Sequence, residues 1–288
     1  MQKLQARNIP DDLYGRVAAA AARNDRSLEG EVRQALAAAY PATGTKTLTL
    51  RQQWQQETAR RLRQLVAQLH ADDFWQFRGP GTTVQLAQHL GEDSPARVFD
   101  WMDGLEPLPF EAAERIAAFT GCSRDWLMEG RTDPFSVTDI GNPADYEQFF
   151  CSEGPGDYRF YLIRFGDGNL LCIRHDRSAA RWSAGHMGGR FCVQDGMGGG
   201  GMGNLKRFLK FLKARRIQLK TDSCERKESS ENTGLHHPSY FTRNSALSFT
   251  DWLPQLLQGN LPDSWTADAS DLRYILEEVR DAPDGSTV

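Results

Sequence analysis

The feature that most constrains the fold is an N-terminal segment of forty residues that combines one short strand with two helices. In the strand, Leu4 and Ala6 alternate with long polar side chains, so one face is apolar and the other polar. These polar residues are Lys3, Gln5 and Arg7. A lone strand has no partner for its backbone groups, and forty residues bury too little surface to fold alone. The sequence therefore predicts a homodimer that pairs two strands and displays each polar residue twice.

The residues at the helix ends predict where each of the two helices begins and stops. Pro10 marks the start of the first helix, and Asn24 and Asp25 favour the left-handed turn that ends it. Ser27 is a suitable N-cap for the second helix. Apolar residues recur at helical spacing in both helices: Leu13, Val17, Ala20, Ala21, Leu28, Val32, Leu36 and Tyr40. We expect these two stripes to interlock with those of a second copy.

This segment resembles the ribbon-helix-helix domain of the Arc/MetJ class, in its FitA/VapB-like form. The resemblance rests on residues 6–9 at the strand end, residues 11–13 at the first helix start, and residues 21–33. It implies double-stranded DNA as partner, with the ribbon in the major groove and the start of the second helix against the phosphate backbone. The residues so implied are Lys3, Gln5 and Arg7 for bases and the backbone N–H groups of Ser27 and Leu28 for phosphates.

Gly30 departs from the resemblance, because a helix former is usual there, and it should cost roughly 1 kcal/mol relative to Ala. An alternative is that residues 1–40 form an amphipathic hairpin that only packs against the rest of the chain. We favour the ribbon because the strand, the turn and both helices agree with one design.

Composition limits what the rest of the chain can be. With 288 residues we expect two or three domains, and with a net charge of −4 any DNA affinity must come from local basic faces. The lack of a long apolar run and of a signal peptide predicts a cytoplasmic protein that does not bind a membrane. Five scattered cysteines without a C-x-x-C pair are predicted to be reduced thiols: Cys122, Cys151, Cys172, Cys192 and Cys224.

Residues 41–48 are a linker by composition, and residues 49–134 are predicted to form a bundle of short helices. The predicted helices span residues 50–70, 82–90, 94–102, 110–120 and 123–128. This part resembles the Cro/CI-type helix-turn-helix, best over residues 108–130.

The resemblance to a helix-turn-helix implies a second DNA contact, for which Arg97 is the one cation on the predicted recognition helix. Asp100 and Asp103 lie on the same helix, and the turn at residues 92–95 is longer than usual, so the approach to phosphate is electrostatically poor. Arg51, Arg60, Arg61 and Arg63 add cations to the preceding long helix. DNA contact and a purely structural or dimerising role both stay open for this bundle.

Residues 145–283 are predicted to form an α+β domain, so the chain as a whole is multidomain and mainly α. Strands over 157–165 and 169–175 are joined by a Gly166–Asp167–Gly168 hairpin loop, and a third strand is predicted over 190–194. The predicted helices span residues 204–215, 249–258 and 272–281.

Two patterns in this domain suggest ligand or DNA contacts. The glycine-rich run over 196–203 precedes a helix and could hold a phosphate, but it lacks a P-loop signature, so we favour a mobile loop. The following helix places Lys206, Lys210 and Lys213 on one outer face, within a stretch free of acidic residues from 204 to 221. A solvated face and a second contact with DNA backbone or an acidic partner are both open.

No motif in the sequence assigns catalysis. Each of His175, His186, His236 and His237 lacks a spaced set of metal ligands, and no nucleophile motif is present, so we predict no metal, no cofactor and no enzyme activity. The predicted function is a dimeric, sequence-specific, repressor-like DNA-binding regulator. The alternatives are an antitoxin that represses its own operon, and an enzyme that its ribbon delivers to DNA. The C-terminal domain is left to bind an effector or a protein partner such as a toxin.

Overall fold

The structure is a computed structural model that describes residues 8–39, 48–76, 78–151, 156–215, 219–230, 233–243, 247–265 and 267–285. Backbone contacts divide the chain into two compact units, Met1–Leu50 and Arg51–Val288. The predicted ribbon strand at residues 3–7 and most of the predicted linker at 41–48 lie outside the described residues.

Two helices make up the first unit, and both confirm the sequence prediction: α1 (Asp11–Arg23) and α2 (Leu28–Ala39). Two aspartates occupy the first turn of α1, where the partial positive charge of the helix favours them. The chain reverses through Asn24 and Asp25, and Asp25 has a left-handed φ of 50°. The helical part of the N-terminal pattern could thus be predicted from the end residues alone.

The described residues from 48 to 130 contain five helices. They are α3 (Leu50–Ala71), α4 (Thr83–His89), α5 (Ala96–Asp103), α6 (Phe110–Thr120) and α7 (Arg124–Glu129). They agree with the predicted helices within two residues at each end, and their apolar faces meet in one core that includes Leu62, Trp101 and Leu127. Thr82 and Ser123 cap α4 and α7, while Gly104 and Gly121 end α5 and α6 in the left-handed region.

Six strands among the described residues form one mixed sheet in the order β1-β4-β3-β2-β5-β6. They are β1 (Val137–Asp139), β2 (Tyr158–Arg164), β3 (Leu170–Asp176), β4 (Arg181–His186), β5 (Thr221–Glu225) and β6 (Ser248–Thr250). The pairs β1–β4 and β2–β5 are parallel and the other neighbours are antiparallel. The predicted hairpin from β2 to β3 is confirmed, and this part of the chain is an α+β structure.

Helices cover the two faces of the sheet unequally. The C-terminal helices are α8 (Pro143–Phe150), α9 (Gly199–Arg215), α10 (Tyr240–Arg243), α11 (Trp252–Leu257) and α12 (Arg273–Arg280). Four of them, α8, α9, α11 and α12, bury one face through Phe160 and Leu162. On the opposite face, Ile163 and Ile173 pack with Phe241 of α10. That second face keeps partly exposed aromatic residues, Tyr161 and Trp182.

Two predictions for the C-terminal part are wrong. Residues 190–194 are not a strand. They form an irregular segment in which the Val193 carbonyl accepts a hydrogen bond from Arg164 Nε at 2.8 Å. The strand that follows β3 is instead β4, which joins it through a tight turn. The glycine-rich run is not a loop throughout, because α9 begins at Gly199. Each glycine costs only about 1 kcal/mol in a helix, and the core contacts of Leu205 and Phe208 offset that cost.

The helical bundle and the sheet belong to the same compact unit. Asp72, at the end of α3, accepts a hydrogen bond from the backbone N–H of His237 at 2.7 Å and contacts His236 Nδ1 at 2.7 Å. The backbone N–H of Phe135 donates to the Gly234 carbonyl at 2.9 Å. The segments 49–134 and 145–283 are therefore linked by buried polar contacts as well as by the chain.

Candidate nucleic-acid interface

The start of α2 is built as a capped helix end with free backbone donors. Ser27 Oγ accepts a hydrogen bond from the backbone N–H of Gly30 at 3.1 Å. Among the described residues, no acceptor faces the backbone N–H groups of Ser27, Leu28 and Glu29. Free N–H groups at a helix N-terminus suit an anion such as a phosphate. The contact of Ser27 and Leu28 with DNA stays a prediction, and the local geometry it requires is present.

Gly30 lies next to the residue that caps the helix. A Cβ atom built at Gly30 would lie 3.1 Å from Ser27 Oγ, the atom that caps the helix. This spacing is tight, so a larger residue would crowd the cap. Because capped helices commonly carry Glu or Gln at this position, the Ser27 cap does not by itself require a glycine.

The acidic residues near this helix end are neutralised by arginines. Glu29 pairs with Arg33 at 2.9 Å, and Glu31 pairs with Arg26 at 3.4 Å. Such surface pairs contribute little to stability, but they reduce the repulsion that an approaching phosphate would meet.

The first unit exposes an apolar surface that a single pair of short helices cannot bury by itself. Ala21 is the one buried residue that the structure describes in α1 and α2. The side chains with large exposed fractions are Ile9 at 45%, Leu13 at 41%, Tyr14 at 54%, Val32 at 39% and Leu36 at 37%. They include members of both predicted apolar stripes. The described part of the first unit therefore has almost no apolar core of its own.

The residues predicted to read bases, Lys3, Gln5 and Arg7, lie outside the described residues. The structure therefore places the two helices that would support a ribbon, and the base contacts remain predictions from the sequence.

In the bundle of α3 to α7, most of the arginines proposed for a second DNA contact form contacts within the protein. Arg97 contacts Glu92 at 3.2 Å, and Arg115 pairs with the same carboxylate. Arg97 still has 57% of its side chain exposed. In α3, Arg61 is buried and donates to the carbonyls of Leu127 and Met128 at 2.8 and 3.0 Å, which fixes α7 against α3. The exposed fraction is comparable for the side chains of Arg115, at 44%, and of Arg60 in α3, at 58%, so exposure alone does not single out Arg97.

The basic helix α9 differs from its prediction. Lys206 and Lys210 lie together on the outside, but both pair with Glu278 of α12, at 2.7 and 3.3 Å. Lys213 does not share their face. It is 5% exposed, and its Nζ donates to the carbonyls of Val279, at 3.1 Å, and Arg280 at the end of α12. The prediction of one outer lysine face is therefore wrong for Lys213, because it satisfies buried helix-end carbonyls instead.

The basic stretch, which contains no acidic residue of its own from 204 to 221, is compensated by carboxylates from other parts of the chain. Arg215 pairs with Glu147 of α8 at 2.8 Å, and Lys220 pairs with Asp157 at 2.7 Å. The acidic partners lie 63 to 72 residues away along the chain, counting those of Lys206 and Lys210. The local sequence could not reveal them.

The histidines form polar and aromatic contacts but no metal site in the part of the chain that the structure describes. His175 stacks on Trp182 with ring centroids 3.7 Å apart, and burial together with nearby arginines lowers its pKa to about 4. His186 Nδ1 accepts a hydrogen bond from the Gly188 N–H. The pair of Asp72 with His236, across 164 residues, is a contact that sequence reasoning missed.

Comparison with known families gives one match, to the model of the FitA-like antitoxin ribbon-helix-helix domain, over residues 4–40. Comparison with curated proteins and with solved structures finds no match for the chain. The match confirms the N-terminal resemblance. In the described part of the chain, no helix has the length and apolar character needed to cross a bilayer.

Proposed function

We propose that this chain is a sequence-specific DNA-binding regulator that acts as a dimer through its first forty residues. The observation that supports this proposal is the coincidence of the family match at residues 4–40 with the exposed apolar surface of α1 and α2. Ribbon-helix-helix domains bind DNA as dimers whose paired strands enter the major groove. A dimer would cover the apolar surface and complete the strand pairing in one step.

In this proposal the two kinds of DNA contact have separate tasks. The ribbon residues Lys3, Gln5 and Arg7 read base edges, where a good side-chain contact discriminates by roughly 1–3 kcal/mol. The N–H groups of Ser27 and Leu28 hold a phosphate and fix the register of the ribbon on the duplex. A repressor acting at its own promoter follows if the selected operator lies there.

The test is an operator selected from random duplex DNA with the full chain, followed by binding of an Arg7→Ala variant. We expect Arg7→Ala to weaken operator binding by about 1–3 kcal/mol and to relax preference at one base pair in each half-site. Arg16→Ala is the matched control, because Arg16 is exposed and pairs only with Asp12 among the described residues. Equal affinity and an unchanged footprint for both variants would remove Arg7 from base reading.

A second candidate function, an antitoxin, is favoured by the description of the matched family model. In that case the chain binds and neutralises a toxin and represses the operon that encodes both. Co-expression with the products of neighbouring genes tests this: a toxic product that is neutralised by the full chain and co-purifies with it supports the antitoxin. A regulator without such a partner keeps operator binding and rescues no toxicity.

A further inference from the structure

A cleft of about 400 Å³ lies in the second unit, where the end of α6 faces the turn between β3 and β4. This volume is within the range of small-molecule sites. No Asp or Glu is among the described residues that line it. The cleft is thus well suited to a ligand with negative charge.

Two arginines line the cleft without a carboxylate partner. Arg78 donates to the carbonyls of Phe74 and Ala180 at 3.1 and 3.3 Å, and Arg181 is exposed. Neither forms an ion pair with any residue in the part of the chain that the structure describes. Ala180, whose carbonyl Arg78 holds, has a left-handed φ of 51°, so the turn beside the cleft is kept in a conformation that costs energy.

His237 supplies a neutral hydrogen-bond donor at the same wall. It is 2% exposed, and its Nδ1 accepts the backbone N–H of Ser239 at 3.1 Å and lies 2.7 Å from Ser239 Oγ, which can donate its hydroxyl proton to the same nitrogen. Burial and the nearby charges of Arg78 and Arg243 lower its pKa to about 3, so the ring is neutral at pH 7. With Nδ1 as the acceptor, the proton lies on Nε2. This Nε2–H has no partner among the described residues, and a Cβ built at Gly121 in the cleft wall would lie 3.7 Å from it.

The remaining walls combine aromatic rings with free acceptors. Phe74, Phe119 and Trp182 line the cleft and favour a flat apolar ring. The last carbonyls of α6, those of Ala118, Phe119 and Thr120, accept no hydrogen bond from a described residue. Carbonyls at a helix C-terminus need donors, which an amino group on a ligand ring provides.

We propose that this cleft binds a nucleoside monophosphate, with its phosphate near Arg78 and Arg181 and its base between the aromatic walls and the end of α6. The Nε2–H of His237 donates to the ligand. A simple aromatic acid satisfies the arginines and the rings, but it leaves the carbonyls of α6 without donors. A nucleotide bound here would bridge the helical bundle and the sheet, which are the two parts of the second unit.

The test is calorimetric titration of the full chain with AMP, GMP, CMP and UMP separately, and with adenosine, inorganic phosphate and benzoate as partial ligands. We expect at least one nucleotide to bind, one per chain, more tightly than every partial ligand. Arg181→Gln should weaken that binding about tenfold, which corresponds to about 1.4 kcal/mol. Arg177→Gln is the matched control and should bind as the unaltered chain does, because Arg177 lies in the same turn but outside the cleft and pairs with Asp157.

Both altered positions are exposed, so these variants keep the fold, and matching thermal unfolding curves check this. The proposal is overturned if none of the four nucleotides binds at millimolar concentration. Benzoate that binds as tightly as the nucleotides also overturns it, since the base then adds nothing. So does binding that is equal in Arg181→Gln and Arg177→Gln, because the nucleotide then lies elsewhere.

Discussion

The two units of this chain handle charge and apolar surface in opposite ways. The second unit buries most of its large apolar residues in three cores, although Leu105, Phe110 and Phe249 are exposed, and it pairs many of its cations with carboxylates distant in sequence. The first unit, as far as the structure describes it, buries Ala21 alone and leaves Leu13, Val32 and Leu36 more than a third exposed. The second unit thus has apolar cores of its own, whereas the described residues of the first unit have almost none.

This difference shows that a run of basic residues is weak evidence for DNA binding. The lysines of α9 are conspicuous in sequence, yet the fold uses Lys213 inside and pairs Lys206 and Lys210 with Glu278. The α1–α2 segment has fewer cations in a row, but it keeps free N–H donors at Ser27 and Leu28 and an unfilled apolar surface. Binding sites are better recognised by unsatisfied groups than by counted charges.

The largest expected effect concerns the first unit. Leu36→Asp places a charge on the apolar surface of α2, and we expect it to abolish dimerisation and operator binding together, because an unpaired charge is costly to bury. Sedimentation velocity of the full chain at micromolar concentration measures the change. Gln34→Asp, on the same helix and exposed, is the control and should remain dimeric. A Leu36→Asp chain that stays dimeric would contradict the proposed assembly.

A strand substitution tests the ribbon itself. Ala6→Pro removes a backbone N–H that the paired strands need, so it should abolish dimer formation as well. For the unaltered chain, unfolding of the N-terminal unit should shift to higher temperature as protein concentration rises. Melting that is independent of concentration would show that this unit is stable as a monomer.

How much the sequence predicts differs between the units and follows from the range of the interactions. Helices α1 to α7 could be predicted because their caps and apolar periods are local: Ser27, Thr82 and Ser123 precede helices, and Gly104 and Gly121 end them. The family resemblance at the N-terminus was found the same way, from contiguous residues.

Long-range pairing explains what could not be predicted. Strand β4 contains Ser183 and Gly185, and β5 contains Asp222, so neither has a strongly strand-like sequence. Both are strands because β3 and β2 provide their hydrogen-bonding partners. Asp222, for example, is held by a bidentate contact with Arg159, 63 residues earlier. The contacts of Asp72 with His236 and His237 could not be predicted from the local sequence either, because these residues are more than 160 positions apart.

The burial of Lys213 gives the next largest effect. In Lys213→Met the apolar stem is kept while the carbonyls of Val279 and Arg280 lose their donor, so the free energy of unfolding should fall by about 2–3 kcal/mol. Chemical denaturation of the full chain measures it. Lys210→Met, on the same helix and paired at the surface, should change stability by less than about 0.5 kcal/mol. Equal stability of the two variants would place Lys213 at the surface.

A smaller effect is a loss of stability in acid that depends on His237. Its pKa is lowered to about 3 in the folded chain, whereas an unfolded histidine titrates near 6.5. Between these values the unfolded state binds a proton that the folded state does not. The stability contributed by the neutral ring is therefore complete above about pH 6.5 and falls by at most about 1.4 kcal/mol per pH unit below it.

Denaturation at pH 7, 6 and 5 measures this dependence. We expect His237→Gln to show a shallower decline than the unaltered chain, although it is less stable at pH 7. His186→Gln is the control, because His186 is exposed at the end of β4. The same slope for all three chains would mean that His237 is not a buried neutral ring.

The smallest expected effect tests whether the second unit contacts DNA. If Lys206 and Lys210 contacted phosphates, replacing both with Gln would lower the slope of log affinity against log salt by about 0.9 per lost contact. Because Glu278 already holds both ammonium groups, a phosphate would have to displace that carboxylate, and we expect the slope to stay unchanged. Operator titrations from low to moderate salt measure it, with Glu278→Gln as a second variant. The slope could instead fall in the double variant Lys206→Gln/Lys210→Gln and rise in Glu278→Gln. That result would show that α9 binds DNA phosphates and that the second unit contacts DNA as well.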